Sequence, residues 1–384
     1  MSKKCKAIFS ILTVISFIIV SACSSGSNSE KTSAPSEDGI VNAKIGVISW
    51  LTGAGAGYGE AITNGFKLAT NEINEKGEVH IELITEDSAG KQEQALSSAQ
   101  KLMNSENVSA ILGPTLSTEM KVVAPEADLN GVPIMGTSTT ATGIPQIGEY
   151  VFRNSIPESL AIPASIDKAV KAYDVKKVAI IYGNDDVFTK SGFDTMKQVA
   201  EEMGLEITTI ETFQKGQADY NAQLTKIKGT NPDLILASAL YNEGAVIMNQ
   251  ARKMGIDVPF VGGNGFNSPE VISIAGDASN GLIVATPWYG GSEDEKVQEF
   301  VRKYTEAYGK EPDQFAAQAY DAMYILADAL KRATSSDREQ IRNALAETGG
   351  FEGILGEMSF DEDGDIVMNP TVLVIKGGTF QLFE

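Results

Sequence analysis

The chain has 384 residues, with 51 acidic against 31 basic side chains, a net charge of −20 and 42% hydrophobic residues. A surface that acidic disfavours nucleic acid and anionic lipid headgroups, both polyanions, and the length and apolar content suffice for two domains with cores of their own. The two cysteines, Cys5 and Cys23, both stand near the start, so no disulfide framework or thiolate metal site can support the rest.

Lys3, Lys4 and Lys6 form a basic opening, and residues 7–20 a short apolar core. That stretch is short for a membrane span and has the layout of a secretory signal. The following Val20, Ser21, Ala22 and Cys23 resemble the bacterial lipobox, where the signal is cut before a cysteine that carries lipid. The expectation is a lipoprotein signal peptide over 1–22, with Cys23 anchoring the chain at an extracytoplasmic membrane face. Residues 23–40 have almost no apolar side chains and read as a flexible tether.

From residue 44 strand and helix patterns alternate. Residues 44–49 are β-rich, and Ile62, Phe66, Ala69 and Ile73 recur at helical spacing. Residues 79–85 alternate apolar and polar, and Ala95, Leu96, Ala99, Leu102 and Met103 mark a second amphipathic helix; further strands fall at 109–112 and 132–135. A second series opens at 177–182, with strands near 205–211, 234–237, 259–261 and 282–285. Strands alternating with helices imply parallel βαβ units, and two sets imply an α/β fold of two lobes with parallel central sheets. After Pro287 come helices over 295–308, 316–333 and 336–347, then a hairpin-like end whose turn is 361–365. Open parallel sheets gather binding groups at the carboxyl ends of their strands, so two facing lobes would form a binding cleft.

Enzyme signatures are scarce. The one histidine, His80, falls inside a strand pattern, and no Gly-x-Ser-x-Gly elbow, Walker loop or His-Glu-x-x-His occurs. Gly53, Gly55, Gly57 and Gly59 do not satisfy G-x-G-x-x-G from any start, and suit a loop whose backbone approaches a small ligand. Residues 361–365 lack the glycine and glutamate positions of a calcium loop and read as a turn on an acidic surface. The sequence therefore predicts no catalytic residues, no metal and no cofactor.

Several segments together resemble the type I periplasmic binding proteins of the branched-chain amino acid transporter group. They are 48–53 with Tyr58 and Gly59, 64–69 leading to Glu72 and Asn74, 111–114 with Ser117, and Pro133 with Thr140, followed by 184–186, 250–252 and 274–277. The resemblance implies two Rossmann-like lobes, 41–155 plus 288–368 and 156–287 plus 369–384, joined by a three-strand hinge near 155–157, 287 and 369. It implies a receptor that closes on a small solute, a branched-chain amino acid above all, and passes it to an ABC permease.

For the site, the resemblance places the solute carboxylate on Ser117 and Thr140, with Ser138 adding backbone groups. Ser117 also suits this role on its own, because it lies between a strand and a helix where N–H groups are free; the bare residue pattern equally fits a helix N-cap. Tyr58 would stand at the first-lobe wall, Phe188 and Tyr241 at the second. The ammonium partner falls on Asn264, where relatives commonly carry Glu or Asp. An asparagine carbonyl accepts more weakly than a carboxylate. Either another carboxylate such as Glu243 reaches in, or the solute is an amide or a small organic or aromatic acid. A ligand sensor with a membrane partner is the second reading of the same fold.

Overall fold

Nine residues of β1 (Val41–Ser49) begin with alternating burial and end fully buried, as a strand does on entering the middle of a sheet covered on both faces. The computed structural model describes residues 39–384; the signal segment, Cys23 and all but the last two residues of the tether lie outside the described residues. After β1 come α1 (Ala56–Lys76), β2 (Val79–Asp87), α2 (Gln92–Asn104), β3 (Ala110–Leu112), α3 (Ser117–Leu129), β4 (Ile134–Gly136) and β5 (Val151–Arg153). These strands form one wholly parallel sheet in the order β2-β1-β3-β4-β5.

The second series is α4 (Glu158–Tyr173), β6 (Lys177–Gly183), α5 (Val187–Glu202), β7 (Glu206–Phe213), α6 (Asn221–Thr230), β8 (Leu234–Ser238), α7 (Tyr241–Lys253), β9 (Phe260–Gly262), α8 (Glu270–Ala275) and β10 (Leu282–Thr286). The chain then returns through α9 (Glu295–Tyr308), α10 (Gln314–Ala333) and α11 (Arg338–Ala346). It ends in β11 (Phe351–Gly353), β12 (Gly356–Phe360), β13 (Ile366–Val367), β14 (Thr371–Lys376) and β15 (Thr379–Leu382). The second sheet runs β15-β14-β10-β9-β8-β6-β7, with parallel pairing from β10 to β7 and antiparallel pairing of β14 with both β10 and β15. β11, β12 and β13 make a small antiparallel sheet whose turn is 361–365.

α1 forms because Ile62, Phe66, Ala69 and Ile73 present one buried face, and it stops at Gly77, whose left-handed φ of 72° lets its N–H close on the last carbonyls. Burying one such Phe contributes on the order of 2 kcal/mol. α1 lies against α10, and the approach is close: a Cβ at Gly65 would sit 2.3 Å from the Ala316 carbonyl oxygen. α9, α10 and α11 therefore return to the side of the first sheet although they follow the second in sequence. Three connections run between the sheets: after β5 through residues 154–157, after β10 through 287–294, and after β13 through 368–370.

β5, β11 and α8 are not apparent in the sequence pattern. His80 lies exposed on β2. Among the described residues no helix is long and apolar enough to cross a membrane, and no group of three His, Cys, Asp or Glu is placed to hold a metal.

Candidate functional site

Both sheets reverse strand order beside their first strand, and the loops leaving the carboxyl ends there face one another. On the first sheet β3 leads through Thr115 and Leu116 into α3. Glu119 folds back so that its carboxylate accepts from the Leu116 N–H at 3.0 Å. Ser117, 1% exposed, opens the helix, and its Oγ accepts from the Ala141 N–H at 3.2 Å, which leaves its own proton to donate. The first N–H groups of α3 have no acceptor within the helix and carry the positive end of its dipole. Ser138, after β4, donates to the Thr115 carbonyl at 2.6 Å and ties the two loops together.

Arg153 fixes the far side of that second loop. Its guanidinium is fully buried and donates to the carbonyls of Thr139 and Ala141 at 3.0 and 2.7 Å. It also forms a two-bond pair with Asp365. The turn at 361–365, expected to be plain acidic surface, thus supplies the counter-charge of a buried cation.

On the second sheet Asp186 caps α5, its carboxylate accepting from Phe188 N–H at 2.9 Å and Thr189 N–H at 3.2 Å, and Phe188 projects from the first turn. Leu240 precedes α7, and Asn264 and Gly265 form a single tight turn after β9.

The two sets of loops are in contact. Tyr58 OH donates to the Gly265 carbonyl at 2.5 Å and accepts from Tyr241 N–H at 2.8 Å, while the two rings lie 4.5 Å apart. Burial raises the Tyr58 phenol well above its ordinary pKa, so it remains a neutral donor. Tyr241 OH donates to the Ala54 carbonyl at 2.8 Å. Thr118 donates to Asp186 at 2.7 Å, and the Lys215 ammonium stands 4.6 Å from the centre of the Trp50 ring.

Between them lies a pocket lined by Tyr58, Thr115, Leu116, Ser117, Ser138, Phe188, Leu240, Asn264, Gly265 and Phe315. Tyr58, Ser117, Ser138, Phe188 and Asn264 were expected there from sequence. Thr140 and Tyr241 do not line it: the Thr140 hydroxyl donates away, to Glu158 at 3.2 Å, and Tyr241 backs Tyr58. Leu240 and Gly265 are sequence neighbours of expected residues, whereas Phe315 sits in an apolar run of α10 that reads only as core. The glycines at 53–59 do not line the cavity either. They make room for protein, since a Cβ on Gly59 would lie 2.0 Å from the Trp50 carbonyl oxygen.

Asn264 is held on two sides. Its N–H donates to Glu158 Oε1 at 2.9 Å, and its side-chain oxygen accepts from Gln314 Nε2. The Gln314 amide lies 2.8 Å from the Thr286 hydroxyl, which is also 2.9 Å from the Trp288 carbonyl. Glu158 is fully buried, its Oε2 has no partner, and burial pushes its carboxyl up to about 7. Glu243 lines a neighbouring pocket with Asp186 and Lys215, and its Oε1 accepts from Gly216 N–H at 2.9 Å.

A closed cleft between two α/β sheets, with hydrogen-bond donors at one end and aromatic walls around the rest, defines a solute-binding protein. The chain matches the periplasmic binding protein family over residues 42–379 and belongs to it, in the type I, branched-chain amino acid group of ABC transporter substrate-binding proteins. It is 26% identical over 328 residues to the leucine-, isoleucine-, valine-, threonine- and alanine-binding protein of Pseudomonas aeruginosa, covering 84% of this chain and 87% of that one. Among solved structures it is similar to the leucine-binding protein of Thermotoga maritima, with a TM-score of 0.83 and 29% identity over 88% of this chain and 97% of the other. It is similar also to the branched-chain amino acid transporter substrate-binding protein of Streptococcus pneumoniae in complex with isoleucine, with a TM-score of 0.83 and 32% identity over 88% and 98%. These relatives are solute-binding proteins, not enzymes.

Proposed function

We propose that the protein is the extracytoplasmic receptor of an ABC importer, lipid-anchored through Cys23, which closes on a small carboxylate-bearing solute of branched-chain amino acid size and delivers it to the permease. The observation that carries this reading is the cavity between the two sheets. One end offers the Ser117 hydroxyl and the free N–H groups of α3, which suit a carboxylate. Tyr58, Phe188, Leu240 and Phe315 surround an aliphatic or aromatic body. Neutral donors can seat the anion without burying a permanent cation in the closed cleft. The binding named for the Pseudomonas, Thermotoga and Streptococcus relatives supports the same size and class of solute.

In this reading the lobes are 41–155 with 288–368 and 156–287 with 369–384, and they rotate about the three connections. A solute that bridges both walls stabilises the closed form, which presents surface of both lobes to the permease. The test is thermal unfolding of the protein, stripped of carried-over solute, against branched-chain amino acids, their amides and small aliphatic and aromatic acids. A bound solute at a thousandfold excess over its dissociation constant adds about 4 kcal/mol. If no member of the panel raises the melting temperature, the proposal fails. For the anchor, Cys23→Ser should move the protein from the membrane fraction to the soluble one.

A further inference from the structure

We propose that the carboxylate seat at the start of α3 is proton-linked: Glu119 takes up a proton from solvent as an anionic solute binds, so the receptor holds carboxylates more tightly in mildly acidic than in alkaline medium. The inference rests on the reading of that helix N-terminus as the seat of a solute carboxylate, and names what regulates it.

Leu116 and Ser117 line the pocket, and Glu119 stands in the same first turn of α3. Its side chain is fully buried and folds back, so that Oε2 accepts from the Leu116 N–H at 3.0 Å while Oε1 has no hydrogen-bond partner. One helix N-terminus thus serves two carboxyl groups, that of Glu119 and that of the solute. Each draws on the same dipole and the same few N–H groups that the helix cannot satisfy internally. Two anions so placed repel, and like charges sharing a site drive one of them to hold its proton.

Glu119 is the group that can yield. Burial pushes its carboxyl up to about 7; the Ser88 hydroxyl, the Leu116 N–H and the Lys215 ammonium pull it down, and the Asp186 carboxylate pushes it up again. The other ionisable groups on the surrounding elements are engaged elsewhere. Lys121 of α3 donates to the Gly143 carbonyl, Asp87 beside Ser88 accepts from the Leu51 N–H and the Thr52 hydroxyl, and Lys190 of α5 pairs with Asp194. From α2 the side chain that reaches this turn is the uncharged Gln92, which donates to the Thr118 carbonyl at 2.9 Å.

The sign follows from the order of events. Near neutrality Glu119 is partly ionised before binding, and an arriving carboxylate favours its neutral form, so a proton enters with the solute. At pH well below that range the proton is already in place and binding is strongest. At pH well above it the Glu119 carboxylate remains charged and opposes the solute.

The probes are leucine and 4-methylpentanoate, which share a carbon skeleton and a carboxylate ionised at neutral pH, titrated calorimetrically into the full chain in mild detergent. At pH 7, buffers of different ionisation enthalpy should reveal uptake of a fraction of a proton per solute. A coupling of about one pKa unit would weaken binding roughly five- to tenfold between about pH 6 and pH 8.5. Glu119→Gln keeps an acceptor for the Leu116 N–H and should remove both the uptake and the slope. Glu158→Gln, which takes away another buried carboxyl raised to about 7, should retain both. Ser88→Ala removes a donor that favours the Glu119 carboxylate and should move the midpoint of the pH profile upward; an unmoved midpoint would take Glu119 out of the role. Binding of either probe without proton uptake, or uptake that survives Glu119→Gln, would overturn this inference and leave the solute-receptor reading standing. Binding of neither probe would overturn both.

Discussion

The two walls of the cavity are built on different chemical plans. The first, from the loops after β3 and β4, is a helix N-terminus with two serines, and its polarity comes from backbone groups that α3 cannot satisfy internally. The second, from the loops after β6, β8 and β9, is Phe188, Leu240 and the backbone of Gly265 with one polar side chain, Asn264, which is hydrogen-bonded to Gln314. The first wall would hold any carboxylate. The second judges what is attached to it. Affinity and selectivity are thus assigned to opposite sides of the cleft, and substitutions can separate them.

Ser117→Ala should have the largest effect. Losing a hydrogen bond to a charged group costs about 1.5–3 kcal/mol, or roughly ten- to hundredfold in affinity, for every carboxylate alike. A titration series in which the ranking of solutes changes would break the division between the walls. Tyr58→Phe touches both sides, because its hydroxyl joins the Gly265 carbonyl to the Tyr241 N–H. About 1–2 kcal/mol, a weakening of roughly five- to thirtyfold with unchanged ranking, is expected from the two neutral bonds lost. Gln314→Leu should act on the second wall alone. Without Gln314 the Asn264 amide loses its one side-chain partner, and the ranking of solutes should change a few-fold in competition titrations.

The smallest effect is on stability against pH. Glu158 and Asp321, both pushed up to about 7 by burial, and Asp313, pushed up to about 6, hold protons in the folded chain that they release when unfolded above about pH 4. Raised carboxyl pKa values stabilise the fold fully below that ordinary value and lose the contribution as pH climbs through 6 to 7. The melting temperature should therefore be higher at pH 5.5 than at pH 8, and the net charge of −20 works in the same direction. Of the three carboxyls, only Glu158 contacts both the Thr140 loop and the Asn264 loop, so Glu158→Gln should flatten part of the slope; an unchanged slope would remove it from that account.

Much of the site was legible through the family resemblance, and the strand order gives a geometric reason that agrees with it. Tyr58, Ser117, Ser138, Phe188 and Asn264 all follow strands of parallel units, and an open α/β sheet brings such positions to one edge. What was not legible depends on distant parts of the chain. Gln314 meets Asn264 across 50 residues, and Arg153 meets Asp365 across 212. No local pattern marks either pair, because each exists only once the helices after β10 have returned to the first sheet. Thr140 illustrates the converse: a residue at the expected edge can spend its hydroxyl on a buried neighbour, here Glu158.

The Lys215 ammonium over the Trp50 ring has a practical meaning. Trp50 follows a strand of the first sheet and Lys215 a strand of the second, so the proposed rotation of the lobes would draw a cation away from an indole on opening. Indole emission responds to a nearby charge, and the only other tryptophan, Trp288, is buried edge-on against Phe300. If the lobes rotate as proposed, the chain carries its own optical gauge of closure, and that motion would be timed in a stopped-flow fluorimeter with no label attached.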